Sequence, residues 1–323
     1  MLPTHQLFDL SSLGETMLRL SVPSGVRLDD ARAFDSEIGG AESNVCVALA
    51  RLGRRTSWSS RLPANALGNA VLRTLRADGV DVSAVRQAPG ERLGVYFIEY
   101  AAQPRASQVI YDRADSAAAH MTPDDVDWAQ LLHTRIIHLT GITAALSPSC
   151  YAIVREAIQR ARAAGVLVSF DVNYRAKLWD APTAGAQLRP LIAEADILFC
   201  KSSDAALLFG CPSNGSALLH DLRELTRASA IYTTFGAEGA ALLHNDTITA
   251  RPALPVQIVD RVGSGDAFAA GVLDGILDGD PHIGLARGIA LAAIALTQFG
   301  DRVLTTRTEL DAVMRQASTD IAR

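Results

Sequence analysis

DRVGSGDAFAAG, residues 260–271, is the stretch on which the fold turns. Gly263 and Gly265 stand immediately before Asp266, and small apolar residues (Ala267, Phe268, Ala270, Val272, Leu273) follow as a helical run. Glycines adopt backbone angles closed to other residues, so successive N–H groups here can converge on one point. A helix beginning at that point adds its unpaired N–H groups and its macrodipole, which makes a pocket for an anion such as phosphate. An aspartate in such a pocket repels the anion. It makes sense if a magnesium ion screens the charges and the carboxylate receives a proton from an attacking hydroxyl. The plainer reading is a first-turn carboxylate favoured by the dipole whether or not anything binds. This stretch alone leaves both readings open.

A chain of 323 residues can bury a large core. Apolar residues at 49% and charged residues at 20% are those of an ordinary globular protein. The net charge of −5 argues against general nucleic-acid binding, and local positive groups must attract any anionic substrate. No apolar run is long enough to span a bilayer, and the opening MLPTHQLFDL lacks a signal-peptide pattern, so no membrane partner is expected. Cys46, Cys150, Cys200 and Cys211 lie far apart without metal-ligand spacing, as expected of reduced thiols in a cytoplasmic protein. The seven histidines are scattered, and no zinc site is expected.

Outward from the opening stretch, strand patterns over 7–13, 17–22, 56–60, 135–140, 166–171, 196–200, 230–234 and 240–244 alternate with helical runs. The helical runs cover 41–52, 68–77, 147–164 and 216–227, with three more beginning near residues 265, 281 and 308. Gly39-Gly40 opens the helix at 41, where Val45, Leu49 and Leu52 share a face and leave Asn44 outside the core pattern. Ser147-Pro148 is an N-cap followed by a first-turn proline. Residues 94–100 (GVYFIEY) break the alternation: Tyr96, Ile98 and Tyr100 fall on one face, Val95 and Phe97 on the other. After a Gln-Pro turn, residues 107–113 bring Val109, Tyr111 and Arg113 to one face. The expectation is a three-layer α/β/α fold with a mainly parallel sheet and a small added β-sheet. Ligands in such folds lie at the carboxyl ends of the strands.

The two glycine motifs together resemble those of the ribokinase-like (PfkB) carbohydrate kinases. That family's C-terminal signature pairs an Asp-Thr lead with a Gly-x-Gly-Asp turn and a helix; here it is DRVGSGDAFAAG, with Arg261 in place of the threonine. Its N-terminal signature is a Gly-Gly pair, an Asn and a helix ending in Ala-Arg-Leu-Gly; here these are Gly39, Gly40, Asn44 and ARLG at 50–53. Either motif alone is weak; both, in order near opposite ends of an α/β chain, are specific. The stretches YDRADSAAAHMTP, LTGITAALSPS and FDVNYRAKLW narrow the resemblance to the 2-keto-3-deoxygluconate kinases. GxxxxGK[ST] does not occur, so this is no P-loop kinase, and the Gly263 turn lacks the third glycine of a dinucleotide fingerprint.

The resemblance implies ATP-dependent phosphorylation of a sugar acid's terminal hydroxyl with Mg2+, in a single domain over residues 1–323 whose β lid spans about 16–36 and 92–114. Phosphoryl transfer needs positioning and charge neutralisation more than covalent chemistry. The backbone N–H groups of Gly263, Ser264, Gly265 and Asp266 are the expected anion hole, with Asp266 as base. Arg113 and Arg175 are expected to clamp a carboxylate, because a planar guanidinium matches one with two parallel hydrogen bonds. By resemblance, Gly40, Asn44, Tyr96, Tyr111, Ile142 and Asp301 also face the sugar, Asp301 with a plain turn role as its alternative. Lys201, Thr234, Gly236 and Gly239 join Gly263 and Gly265 on the nucleotide side. Asp204 is expected to orient a metal-bound water, since Lys201 and Asp204 replace the family's Asn-x-x-Glu. The lid strand with two apolar faces implies a homodimer or higher homo-oligomer. The alternatives are a kinase for another ketose, ribose or a nucleoside, and a non-catalytic sugar-sensing homologue.

Overall fold

Short runs rich in Val, Ile, Leu and Phe, bounded by turns, build the strands, and small-residue or amphipathic runs between them build the helices. The structure, a computed structural model, describes residues 7–101, 104–212 and 215–321. The N-terminal pattern at residues 1–6 and Gln103 of the Gln-Pro turn lie outside the described residues. The first half runs β1 (Phe8–Leu13), β2 (Met17–Ser21), β3 (Asp35–Gly39), α1 (Ala41–Arg51), β4 (Thr56–Ser59), β5 (Arg61–Pro63), α2 (Ala66–Ala77), β6 (Arg86–Ala88), β7 (Val95–Glu99) and β8 (Gln108–Asp112). Then come α3 (Trp128–Leu132), β9 (Thr134–Thr140), α4 (Gly141–Leu146), α5 (Pro148–Ala163), β10 (Leu167–Asp171), α6 (Ala181–Ile192), β11 (Ile197–Lys201), α7 (Ser202–Phe209) and α8 (Gly215–Leu225). The remainder is β12 (Ala230–Thr234), β13 (Ala240–His244), β14 (Thr247–Arg251), α9 (Ser264–Leu277), α10 (Pro281–Leu296) and α11 (Arg307–Ile321).

Eight strands form the main sheet in the order β14-β13-β12-β11-β10-β9-β1-β4. Pairing is parallel from β12 to β4, and antiparallel for β12 with β13 and β13 with β14. Alternate side chains feed two cores. Ile136, Ile197 and Phe199 pack with α1, α2, α9 and α10. Ile137, Leu198 and Cys200 pack with α5, α6, α7 and α8. The three layers expected from the sequence are these. The fourth, smaller body is a sheet ordered β3-β2-β7-β8, with β2 and β7 parallel. Its inner face buries Met17, Arg19, Tyr96 and Ile98, and Arg19, Tyr96 and Tyr111 lie in one row across it.

Several elements escaped the sequence pattern, each for a local reason. The edge strand β3 of the small sheet, Asp35–Gly39, was not read from the sequence. Pro182, Gly185 and Pro190 disguise α6, whose N-cap Asp180 accepts from Thr183 N. The helix expected at 68–77 starts at Ala66 because the Asn65 side chain accepts from Leu67 N and Gly68 N. The short α3, α4 and α7 and the strands β5, β6 and β14 also went unread; β14 is an edge strand of mixed, mostly exposed residues.

Helix α9 lies against α10 along a line of glycines: a Cβ at Gly275 would meet Gly284 Cα at 2.3 Å. Asp274 on α9 is fully buried and accepts from Arg54 Nε (2.8 Å), Arg287 Nη1 (2.7 Å) and Arg307 Nη2 (2.6 Å). This pins α9 to the segment after α1, to α10 and to α11. Asp274→Ala leaves the three guanidiniums without their shared acid, and an unfolding free energy lower by about 3–5 kcal/mol is expected in chemical denaturation. A loss below about 1 kcal/mol would mean the arginines are satisfied by solvent.

Candidate active site

Gly263 is the N-cap of α9, in a left-handed conformation with φ of +81° and no side-chain cap. Any other residue is penalised twice there, by the dihedral and because its Cβ would lie 2.1 Å from the Asp301 carbonyl oxygen. The chain therefore turns in contact with the loop after α10, and the helix opens with N–H groups that lack intrahelical acceptors. This end of α9 lines a cavity of about 950 Å³. The opposite walls come from the small sheet, α1 and the carboxyl ends of β10, β11 and β12, where Asp171, Lys201 and Thr234 stand.

Asp266, in the first turn of α9, accepts from Asn44 Nδ2 at 2.7 Å. Burial pushes its carboxyl up to about 7, against the Asn44 hydrogen bond and the charge of Arg175, which favour ionisation. Asp171 is raised to about 8, first by burial and then by facing Asp266, while Arg175 and a hydrogen bond from Asn173 N (3.0 Å) act the other way. Asp204 is also raised, by burial, with Ser203, Lys201 and Arg175 opposing. Arg175 is exposed, its Nη1 donates to Tyr174 O (3.0 Å), and no ion pair occupies it among the described residues.

No group of three or more His, Cys, Asp or Glu among the described residues forms a metal cage. The carboxylates of Asp171 and Asp204 both line the cavity, and with no ion pair to either among the described residues they suit magnesium held through water and a ligand's phosphates.

Across the cavity, the Tyr96 and Tyr111 rings stack with centroids 5.7 Å apart. The Tyr96 hydroxyl donates to Asp301 Oδ2 (2.6 Å), and Asp301 also pairs with Arg19. Arg113 does not stand free as an open clamp. Its Nε donates to Glu15 Oε2 (2.8 Å), its Nη2 donates to the same oxygen, and Ser116 Oγ donates to Oε1. Part of the cavity lining is apolar, from Phe199, Phe268, Ile289, Ala292, Leu296 and Val256, and the turn of Gly236 and Gly239 lines it as well.

Every residue singled out from the sequence lines this one cavity: Gly40, Asn44, Tyr96, Tyr111, Arg113, Ile142, Arg175, Lys201, Asp204, Thr234, Gly236, Gly239, Gly263, Ser264, Gly265, Asp266 and Asp301. Arg261 lines it too, with its side chain exposed. Asp301 is buried and doubly bonded, not a plain turn residue. Sequence reasoning missed Glu15, Asp171 and Asn173, which line the cavity, and the buried Arg19, Glu42 and Asp260 behind it. Glu42 accepts from the hydroxyls of Thr140 and Thr143 and so ties α1 to the start of α4. Asp171 and Asn173 lay within the quoted FDVNYR stretch; Glu15 and Arg19 carried no local signal.

The family profile of the pfkB carbohydrate kinases matches residues 8–308. A 2-dehydro-3-deoxygalactonokinase from Haloferax volcanii is 35% identical over 316 residues, 98% of this chain and 99% of that one. A 2-dehydro-3-deoxygluconokinase from Thermoproteus tenax is 33% identical, with 93% of this chain and 91% of that one covered. The solved structure of the 2-dehydro-3-deoxygluconokinase of Thermotoga maritima matches with a TM-score of 0.91 at 30% identity, covering 95% of this chain and 99% of that one.

The raised carboxyls have a consequence for the empty protein. A carboxyl whose folded value lies above its unfolded one stabilises the fold while protonated, and that contribution is lost as pH rises through the folded value. The melting temperature of the unliganded protein is therefore expected to fall as pH rises from about 5 to about 8.5, and Asp171→Asn is expected to flatten the decline. The same slope in both proteins would show that the pair is solvated.

Proposed function

The chain belongs to the PfkB family of carbohydrate kinases, phosphotransferases with an alcohol acceptor, and from that premise we propose that it phosphorylates the terminal hydroxyl of a 2-keto-3-deoxy sugar acid with ATP. The acid is 2-keto-3-deoxygluconate or its C4 epimer, and the product is the 6-phosphate. The observation that carries this reading is the Asn44–Asp266 pair at the open N-terminus of α9.

Asp266 takes the proton of the attacking hydroxyl, and its carboxyl near 7 suits a base at neutral pH. Asn44 fixes its orientation. The N–H groups of Gly263, Ser264 and Gly265 receive the charge that gathers on the transferring phosphoryl group. Arg175, expected from the sequence at the acid's carboxylate, is assigned instead to the transferring group, because its charge reaches Asp171, Asp204 and Asp266. Arg113, oriented by Glu15 through one edge of its guanidinium, keeps Nη1 for the acid's carboxylate at the other end of the sugar. The apolar part of the cavity takes the nucleobase, and Thr234, Gly236, Gly239 and Lys201 lie along the path of the phosphates. Magnesium, when bound, neutralises phosphate charge; Asp171 and Asp204 are the residues that would hold it, through water.

A neutral ketose is the second reading, favoured by the Glu15–Arg113 ion pair, which already cancels one positive charge. ADP release over both epimeric acids, fructose and ribose separates the two readings. The acids are expected to react with the higher kcat/KM, and Asp266→Asn to lower kcat by about 10²–10⁴-fold. A wild type no faster than the variant on every substrate would contradict catalysis, and faster turnover of fructose or ribose would contradict the acid.

The outer face of the small sheet carries Phe34, Phe97 and Ile110, with Phe34 at 40% and Ile110 at 50% exposure. A second copy of this chain covering that face gives a homodimer, and the small sheet with its substrate-side tyrosines would be the lid of a single kinase domain. No helix among the described residues is long and apolar enough to cross a membrane. The four cysteines are buried and unpaired, in keeping with a cytoplasmic protein. Light scattering at micromolar concentration is expected to give twice the chain mass, and Phe97→Glu to give one chain mass. A monomeric wild type would contradict the dimer.

A further inference from the structure

Arg19 is a charged residue where the pattern of β2 calls for an apolar one, and it is 1% exposed. Its guanidinium pairs with Asp260, at the start of the turn that ends in Gly263, and with Asp301, against whose backbone Gly263 is seated. Tyr96 on β7 and Tyr100, the residue after that strand, reach the same acids. The Tyr96 hydroxyl donates to Asp301 Oδ2 (2.6 Å) and the Tyr100 hydroxyl to Asp260 Oδ2 (2.7 Å). Asp260 in turn accepts from Val262 N (3.1 Å) and so shapes the turn directly. The small sheet that carries Tyr111 and Arg113 is thereby joined to the turn that opens α9 through one buried cation between two carboxylates.

We propose that Arg19 is a positioning residue that makes the sugar end and the nucleotide end of the cavity sense each other, by tying the small sheet to the turn before α9. The proposal rests on the kinase reading above. Any ligand that moves the row Arg19, Tyr96 and Tyr111 moves Asp260 and Asp301 with it, because the link is short, buried and charged at both ends. Arg19 does not line the cavity, whereas Tyr96 and Asp301, which are bonded to each other, do. A guanidinium holds two acids at once with N–H groups set apart in a rigid fork; an ammonium on a lysine stem gathers its donors at one point and loses that fixed spacing.

The test is a binding cycle on the whole protein with magnesium, using a non-hydrolysable ATP analogue and 2-keto-3-deoxygluconate. The nucleotide dissociation constant is measured by calorimetry with and without the acid, and the melting temperature is recorded alongside. In the wild type the acid is expected to tighten nucleotide binding by about fivefold or more. In Arg19→Lys that ratio is expected to fall towards one, while each ligand alone binds within about threefold of its wild-type affinity. Tyr100→Phe removes one hydroxyl from Asp260 and leaves the ion pairs, so it is expected to give an intermediate ratio even where Arg19→Lys fails to fold. An unchanged ratio in Tyr100→Phe and in any folded Arg19→Lys would overturn the proposal, as would a wild type in which the acid has no effect on nucleotide binding. The substrate reading would survive both results. A wild type that binds no acid at all would overturn the substrate reading and the coupling with it.

Discussion

The left-handed turn at Gly263, seated on the backbone of Asp301, is the constraint from which the rest of the site follows. Because only glycine tolerates that dihedral in that space, α9 starts at one place and its free N–H groups face the cavity. Asp266 then falls in the first turn, within reach of Asn44 on α1. The same contact brings Asp301 to the cavity wall, where Tyr96 and Arg19 meet it. One backbone packing event thus sets the open end of α9, the place of Asp266 proposed as base, and the anchor of the small sheet together. The long contact between α9 and α10 and the three arginines around Asp274 keep the helix from sliding along its axis.

Electrostatics inside the cavity follow from pairing more than from net charge. Glu15 cancels Arg113, and Arg19 answers Asp260 and Asp301 from behind the wall. What remains on the lining is Asp171, Asp204 and Asp266 with Arg175, Lys201 and Arg261. Burial raises all three acids. A nucleoside triphosphate and a sugar acid entering together bring more negative charge than three cations offset, which is why the proposed magnesium belongs beside Asp171 and Asp204. The enzyme's negative overall charge is then no obstacle, since neutralisation is local.

Much of this was legible in the chain. Glycine pairs before helical runs located α1 and α9, and alternating strands and helices gave the layered sheet. Residues 94–100 announced the small sheet because both alternating faces are apolar. The helices that stayed hidden, α6 above all, carry prolines and a glycine that imitate a loop. The harder omissions were partners rather than positions. Arg19 sits 241 residues from Asp260 and 282 from Asp301, and Glu15 lies 98 residues from Arg113. Nothing local distinguishes a buried arginine with two acids from a surface one. The sequence shows that Arg113 has the right chemistry for a carboxylate; only the fold shows that Glu15 already holds one edge of it.

Asp266, as proposed, stands between acceptor and donor at the mouth of α9. A crystal structure of the enzyme with 2-keto-3-deoxygluconate and a non-hydrolysable ATP analogue tests it most directly. The Asp266 carboxylate is expected within hydrogen-bonding distance of the sugar's terminal hydroxyl, with the terminal phosphate on the N–H groups of residues 263–265. A phosphate bound elsewhere in the cavity, or a terminal hydroxyl directed away from residue 266, would contradict it.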